Sequence, residues 1–257
     1  MPRALWTGAS GMAAQQTNVD VIANNIANVN TVGFKRQRAN FQDLFYDISV
    51  QPGAKASDLG RNPTGTQIGT GVKLSGTPRI FTAGNIEITG TPTDLAIDGD
   101  GFFKVTLPDG STDGYSRAGD FKIDANGNMV TPDGYLVPGV SGIDSALGPV
   151  AISTTGEVTQ GAATRGQINL IRFANPSGLA AIGRNLFVES VASGSPEERL
   201  PGSSGVGTIR SGALEKANVE VVTELVNLIV AQRSYESNSK SIKTCVEMLR
   251  TANEIVR

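Results

Sequence analysis

The sequence predicts an α+β protein, with N- and C-terminal long α-helices forming a paired, coiled-coil-like domain and a central, mostly antiparallel β domain between them. Residues 3–32 contain two glycines and no proline, and residues 214–257 contain neither. Nearly all the other glycines and prolines lie between Gly33 and Gly212. Because these two residue types disfavour helix interiors and mark turns, we expect helices at both ends and closely spaced turns in the middle.

The N-terminal segment repeats an apolar side chain every seven residues, at Leu5, Met12, Val19 and Ile26. Ile22 and Val29 add the complementary spacing of three, so all six residues share one stripe of a helix. Gly8 and Gln15 interrupt this stripe and weaken its first half. The residues Asn-Thr-Val-Gly at 30–33 predict where the helix ends. We call the two terminal helices the assembly domain and assign residues 1–45 to its N-terminal part.

The C-terminal segment, residues 214–257, carries a longer repeat at Val221, Leu228, Tyr235, Ile242, Leu249 and Val256, with Leu225 and Val246 at the alternate position. The polar residues Gln232, Ser239 and Asn253 occupy the other alternate positions, where polar side chains can fix register and partner number. A pattern of this length favours helices that pack together and on other subunits. The alternative is that both helices pack on the body as ordinary core elements.

The middle of the chain predicts short antiparallel strands. Apolar stretches from residue 71 onward alternate with turn signals at 108–110, 126–127 and 132–134, where Pro, Asp, Asn and Gly favour tight turns. This pattern is typical of a sandwich or barrel-like domain, predicted over residues 71–193, and contains no βαβ unit. Residues 46–70 are predicted to be an extended connector, and residues 194–213 a return connector.

Charge and hydropathy exclude several classes of partner. The net charge of −2 and the pI near 5.3 give no reason to expect binding to nucleic acid. No stretch approaches the roughly 20 apolar residues of a membrane span, so no membrane insertion is expected, and the N-terminus does not resemble a cleaved signal peptide. Residues 1–40 contain a single acidic residue, Asp20, and four basic residues, Arg3, Lys35, Arg36 and Arg38. A solvated flank is the favoured interpretation of this basic cluster, and an acidic partner is the alternative.

Residues suited to catalysis are scarce. The chain has no histidine, which removes the commonest general base and metal ligand, and its single cysteine, Cys245, excludes an internal disulfide. Asp98 and Asp100 alternate with glycines and indicate a tight turn. The loop that begins at Asp124 resembles a calcium loop only faintly, because Tyr135 stands where the bidentate glutamate belongs. We therefore predict no enzyme activity, no cofactor and no metal site.

Four motifs resemble those of the bacterial flagellar axial proteins, the rod and hook family. Residues 23–35 (ANNIANVNTVGFK) resemble the family's N-terminal signature, and residues 3–7 (RALWT) with residues 11–12 (GM) resemble the opening of its distal-rod type. Residues 94–103 (DLAIDGDGFF) are similar to the signature of the body. Residues 218–249 are similar to the C-terminal helix, so the resemblance covers both ends and the start of the body.

This resemblance implies a structural subunit of the flagellar basal body that polymerises into a hollow helical tube. The distal rod would cross the periplasm as a drive shaft and transmit torque to the hook. The expected partners are other copies of the chain, other rod proteins, the hook protein, the surrounding ring proteins and the flagellar type III export apparatus, through which the chain would pass unfolded without cleavage of a leader. The length of the body favours the distal rod, with the proximal rod protein of similar length and a fibre-like binding module with coiled-coil ends as alternatives.

The predicted assembly interface combines the two apolar stripes with three asparagines of the N-terminal signature. The asparagines are expected to form hydrogen bonds between packed helices or to line the channel, with simple solvent exposure as the alternative. We also expect Leu228→Asp to abolish polymerisation while the β body stays folded. The full set is Leu5, Met12, Val19, Ile22, Asn24, Asn25, Ile26, Asn28, Val29, Val221, Leu225, Leu228, Tyr235, Ile242, Val246 and Leu249.

Overall fold

The computed structural model describes residues 2–53, 55–57, 60–108, 112–144, 148–161 and 163–255. The chain divides into two compact units, each built from separate stretches of sequence. The helical unit combines Met1–Ile26, Gln37–Pro78 and Val221–Arg257, and the β unit combines Ala27–Arg36 with Arg79–Glu220. Both units therefore need residues from early and late parts of the chain.

Two long helices form at the ends, as predicted, but both are shorter than the sequence pattern suggested. The N-terminal helix α1 spans Pro2–Ala27, and the C-terminal helix α2 spans Val221–Ile255. The chain turns after Ala27, where the Thr31 hydroxyl donates a hydrogen bond to Oδ1 of Asn28, and Gly33 adopts a φ of +66°. Such side-chain bonds compete with the helix, so the assignment of residues 28–45 to a helical part is wrong. The predicted position Val256 lies outside the described residues.

Residues 40–76 form a long antiparallel hairpin, and the predicted extended connector is therefore wrong. Its pairs are β1 with β6, β2 with β5 and β3 with β4. Tyr46, Ile48 and Val50 alternate with polar residues in the period of two that strands require. The strands are β1 Asn40–Asp43, β2 Tyr46–Val50, β3 Lys55–Ser57, β4 Gly60–Arg61, β5 Thr66–Gly69 and β6 Val72–Gly76.

The β unit consists of antiparallel strands, which confirms the prediction for the body. Its largest sheet has six strands in the order β17-β18-β10-β9-β16-β19. A 3₁₀ turn at Pro176–Gly178 precedes β17. The strands are β7 Ile86–Ile88, β8 Leu95–Asp98, β9 Phe102–Thr106, β10 Asp113–Ser116, β11 Lys122–Ile123, β12 Met129–Val130, β13 Val150–Ile152, β14 Glu157–Gln160, β15 Ala163–Gln167, β16 Leu170–Arg172, β17 Ala180–Gly183, β18 Leu186–Val188, β19 Glu197–Arg199, β20 Thr208–Ser211 and β21 Ala213–Glu215.

The predicted return connector, residues 194–213, is instead part of this β structure. It contains β19, which pairs with β16, and β20, which pairs with β8. The strand β21 follows directly and pairs with β7. Few apolar residues mark these strands because each is short and only one residue of β20, Ile209, is buried. The sequence pattern could not separate such strands from a connector.

Two of the predicted turns are present, and the third cannot be assessed. Gly127 adopts a φ of +76° between β11 and β12, and Gly134 adopts a φ of +86° and bonds through its N–H to the Thr131 carbonyl. Both conformations suit glycine, as the turn chemistry indicated. The turn predicted at 108–110 falls on Asp109 and Gly110, outside the described residues.

The core of the β unit has two buried clusters on the two faces of β9. Phe103 belongs to a cluster with Leu95, Ile97 and Phe121, while its neighbour Phe102 belongs to the other. Successive side chains of a strand point to opposite faces, which accounts for this division. Around Phe102 the aromatic rings pack edge to face, the preferred geometry for such pairs.

Candidate assembly surface

One face of α2 is covered within the helical unit. Its buried and half-buried members include Glu224, Leu228, Ala231, Asn238, Ile242, Cys245 and Leu249. The predicted positions Leu228, Ile242 and Leu249 belong to this face. The second position of the repeat, however, lies one residue earlier in the chain than predicted. Small or polar residues occupy it, namely Glu224, Ala231, Asn238 and Cys245. Leu225 and Val246, predicted for it, are 46% and 51% exposed, and Val221 and Tyr235 are also exposed.

The two terminal helices run antiparallel and come close where α1 has glycines. A Cβ atom on Gly8 would lie 2.9 Å from Cγ1 of Ile242, and one on Gly11 would lie 2.9 Å from Nδ2 of Asn238. The absence of a side chain at these two positions permits the close approach. Gly8 is therefore a point of contact with α2, although its place in the sequence pattern suggested an interruption. Coiled-coil packing along the full helices stays a prediction.

The predicted apolar stripe of α1 is only partly covered in the single chain. Ile22 is buried, together with Ala14 and Val21, which were not predicted. The remaining predicted residues are half-buried, so each keeps some surface for a further partner. They are Leu5, Met12, Val19, Ile26 and Val29.

The three predicted asparagines lie in different surroundings. Asn25 is 1% exposed and holds the backbone of Gln37 by two hydrogen bonds of 2.9 Å, one donated and one accepted. Its Nδ2 atom also lies 3.5 Å from Oε2 of Glu224 on α2. Asn24 is exposed, and Asn28 is half-buried. Asn25 on α1 thus contacts both Gln37, from which the chain continues into the long hairpin, and Glu224 on α2.

A second face of α2 is apolar and exposed. Val222 and Ile229 are 70% and 55% exposed, and the helical spacing places them on the side away from Ala231. We call this surface the outer stripe, and its members are Val222, Leu225, Val226, Ile229 and Val230. The long hairpin adds further exposed apolar side chains, among them Phe45 at 90% and Tyr46 at 53%. Contiguous exposed apolar patches of this kind mark interaction sites.

A buried ionic group in the β unit was missed at the sequence level. Nζ of Lys35 lies 2.6 Å from Oε1 of Glu215, and both side chains are fully buried. Nη1 of Arg117, which is also buried, lies 3.6 Å from Oε2 of the same carboxylate. We call these three residues the charge triad. The interpretation of Lys35 as part of a solvated flank is therefore wrong, whereas Arg38 is exposed and Arg36 is half-buried.

Burial dominates the electrostatics of the charge triad. Removal from water lowers the pKa of Lys35, against the opposing effect of the Glu215 carboxylate. Burial likewise lowers the pKa of Arg117. The signal for this group is weak in sequence, since only the position of Lys35 directly after Phe34 sets it apart from an ordinary surface lysine.

The aspartates considered for chemistry occupy turns and strand ends. Asp124 accepts hydrogen bonds from the backbone N–H of Ala125 and the side chain of Asn126, which closes the turn between β11 and β12. Asp94 is buried and accepts a hydrogen bond from the Thr89 hydroxyl. Across the described parts of the chain, no group of three or more acidic or cysteine side chains could hold a metal ion.

Three successive parts of the chain match domains of one protein family. Residues 5–35 match the flagella basal body rod protein, residues 96–160 the flagellar hook protein FlgE/F/G D1 domain, and residues 210–255 the C-terminal region of the flagellar basal body rod FlgEFG proteins. The chain is 48% identical to the flagellar basal-body rod protein FlgG of Borreliella burgdorferi, over the whole of both proteins. The chain belongs to the flagellar basal-body rod protein family.

The relatives also identify the type of rod protein. The FlgG protein of Caulobacter vibrioides is 47% identical over 98% of this chain and 99% of its own length. The flagellar hook protein FlgE of Helicobacter mustelae is 46% identical over 54% of this chain but only 31% of its own length. Full-length similarity to FlgG proteins makes this rod protein a structural subunit of the distal rod, in a family of structural proteins and not of enzymes.

The domains matched in the rod family contain residues of the sites described above. The N-terminal match, residues 5–35, includes Gly8, Asn25 and Lys35. The C-terminal match, residues 210–255, includes Glu215 and all of α2. The helix contacts and the charge triad of this rod protein therefore draw on both terminal domains.

Proposed function

We propose that this rod protein polymerises through its two terminal helices into a hollow helical tube that acts as a drive shaft and transmits torque to the hook. The observation that supports this proposal is the outer stripe of α2. Five apolar side chains on one helix face are 46–70% exposed in the described chain, while the opposite face of the same helix packs in the helical unit. A helix with apolar residues on both sides is suited to burial between subunits.

The energy available from the outer stripe favours assembly. Fully burying one large apolar side chain contributes about 1.5–3 kcal/mol, so five partly exposed ones contribute on the order of several kcal/mol for each subunit. In this assembly the outer stripe of one subunit contacts the exposed residues of α1 on the next subunit. Because these are two different surfaces, the contact is head-to-tail. Repeated contacts of that kind generate an open helix when the rotation does not close.

The predicted interface residues keep their role as part of this proposal. Leu225, Tyr235 and Val246 on α2 are exposed in the single chain and would be buried between subunits. Leu5, Met12, Val19 and Ile26 on α1 would complete their burial in the same way. The exposed apolar side chains of the long hairpin, with Phe45 foremost, would fill space between neighbouring subunits and stiffen the tube.

The wider surroundings of the subunit follow from the same proposal. We place the polymer in the part of the basal body that crosses the periplasm, between other rod proteins and the hook protein and inside the ring proteins. The chain would reach this position unfolded through the flagellar type III export apparatus. Within the described residues no helix is long and apolar enough to cross a membrane.

A pair of neighbouring substitutions tests the assembly proposal. Ile229→Asp places a charge in the outer stripe, and we expect it to abolish filament formation while circular dichroism and monomer stability stay unchanged. Asn227→Asp adds the same charge two residues away, at an exposed position that does not belong to the outer stripe, and serves as the control. Sedimentation of concentrated protein measures both. Filaments of normal yield from Ile229→Asp would exclude the outer stripe as the interface.

Leu228→Asp separates contacts within the subunit from contacts between subunits. Leu228 is half-buried on the face of α2 that is covered in the helical unit. We therefore expect Leu228→Asp to loosen the helical unit as well as to abolish polymerisation, with the β unit still folded. Ile229→Asp should affect polymerisation alone.

A further inference from the structure

The charge triad connects three stretches of chain that are far apart in sequence. Lys35 follows α1, Arg117 follows β10, and Glu215 ends β21. Glu215 is the centre of the group, because Oε1 binds Lys35 and also accepts a hydrogen bond of 2.8 Å from the N–H of Gly84. The carbonyl of Glu215 accepts a further bond of 2.7 Å from the N–H of Gly33.

The charges of the triad are unequal. Two cations, Lys35 and Arg117, share the single carboxylate of Glu215 in a region closed to water. Lys35 also donates to the carbonyl of Thr82, and Arg117 donates to the carbonyl of Gly99. Without Glu215, Lys35 would be buried with the neutral Thr82 carbonyl as its partner, and Arg117 would keep only the weaker electrostatic attraction of Asp100. Leaving a buried charge without its counter-charge is strongly destabilising.

The strands next to Glu215 complete the β structure at the same time. The strand β20 is the only described strand that pairs with β8, and the residues Leu95, Ala96 and Ile97 of β8 are fully buried. The strand β21, which carries Glu215, pairs with β7. Residues 208–215, which we call the closing segment, therefore supply both the missing strand partners and the missing charge.

We infer that Glu215 is a folding latch: the β unit reaches its folded state only when the closing segment joins Lys35 and Arg117. Both cations precede Glu215 in the chain, so a chain that emerges from its N-terminus holds them without a counter-charge until the closing segment arrives. This timing rests on the proposed export of the unfolded chain. In that setting the latch keeps the subunit open until about four-fifths of the chain has emerged, residue 215 of 257.

The first test removes the charge of Glu215 and keeps its shape. In monomeric full-length protein, we expect Glu215→Gln to accelerate hydrogen exchange at the amides of β8 by at least about 100-fold, the effect of breaking a buried ion pair. The control is Glu87→Gln, which removes the carboxylate of an exposed ion pair between Glu87 on β7 and Lys216, the residue directly after β21. Exchange rates of Glu215→Gln within threefold of the control would overturn the inference.

The second test uses the unequal charges. Lys35→Met leaves the neutral pair of Arg117 and Glu215, and the Thr82 carbonyl still accepts a hydrogen bond from Asn218. We expect Lys35→Met to change exchange at β8 by less than tenfold, and Lys35→Met with Glu215→Gln to be slower in exchange than Glu215→Gln alone. A larger effect of Lys35→Met than of Glu215→Gln would contradict the latch.

The third test addresses the order of folding. In pulse-labelled refolding of the full-length wild-type protein, the amides of β8 and of the closing segment should become protected in one kinetic phase. Protection of β8 in an earlier phase than the closing segment would overturn the inference. These measurements use monomers, so their outcome is independent of whether the outer stripe forms filaments.

Discussion

Nζ of Lys35 lies 2.6 Å from Oε1 of Glu215, although 180 residues separate the two in the chain. The contact joins a residue that follows the N-terminal helix to one that precedes the C-terminal helix. Because both side chains are fully buried in the β unit, this unit joins an early and a late stretch of the chain in one fold.

The backbone next to Lys35 predicts a strict requirement for glycine. Gly33 has a φ of +66°, and a Cβ there would lie 2.5 Å from backbone atoms of Arg117 and Ala118. Gly134→Ala is the matched control, since its φ is +86° but nothing lies within 4 Å of the added carbon. We expect Gly134→Ala to cost about 1–2 kcal/mol in the free energy of unfolding and Gly33→Ala at least about twice that. Urea unfolding measures both, and equal costs would contradict the close contact.

The contact of Gly8 with Ile242 predicts a rescue. Gly8→Leu should weaken the packing of α1 on α2, because its side chain needs the space that Ile242 occupies. The same substitution in a chain that also carries Ile242→Ala should be better tolerated, since that change frees the space. Thermal unfolding followed by the helical circular dichroism signal compares the two backgrounds. An equal loss in both would show that the helices do not meet at this point.

The two neighbouring asparagines of α1 should behave differently in the monomer. Asn25→Ala leaves the partly buried N–H and C=O of Gln37 without the Asn25 side chain, which costs about 1–3 kcal/mol in the free energy of unfolding. Asn24→Ala alters an exposed side chain, and we expect it to cost less than Asn25→Ala. Chemical denaturation of the helical unit measures the difference. If the two costs are equal, Asn25 is not the anchor of Gln37.

The pH dependence of stability should reveal the buried phenol of Tyr115. Burial raises the pKa of Tyr115 to about 12, with a smaller contribution from Asp113. Since the folded state holds this proton more tightly, the contribution of Tyr115 is complete below pH 10 and is lost as the pH rises to about 12. Tyr115→Phe should therefore lose less stability than the wild type over this range. Parallel slopes of unfolding free energy against pH would refute the shift.

The sequence predicted the elements that a strong period marks. The heptads of Leu228 and Ile242 identified α2, and the turn chemistry around Gly127 identified an antiparallel body. These predictions succeeded because side-chain period and backbone conformation are local properties. The family signatures added the function, which no catalytic or binding residue could have indicated.

Other features escaped prediction because they depend on distant partners. Apolar residues on both faces of α2 fit two registers, and the contacts with Gly8, Gly11 and Asn25 on α1 distinguish the register of Ala231 from that of Leu225. The long hairpin was missed because its strands pair with each other and bury few side chains. Lys35 was assigned to the solvent because its counter-charge, Glu215, lies 180 residues away.

Electron microscopy of concentrated, purified wild-type protein tests the central claim most directly. The terminal helices are proposed to bury their exposed apolar residues between subunits, so the protein should form open helical tubes in which α1 and α2 pack against neighbouring copies. Reconstruction of such tubes should show the outer stripe, including Val222 and Ile229, covered by another subunit. Closed oligomers, or tubes in which the outer stripe still faces solvent, would contradict the account.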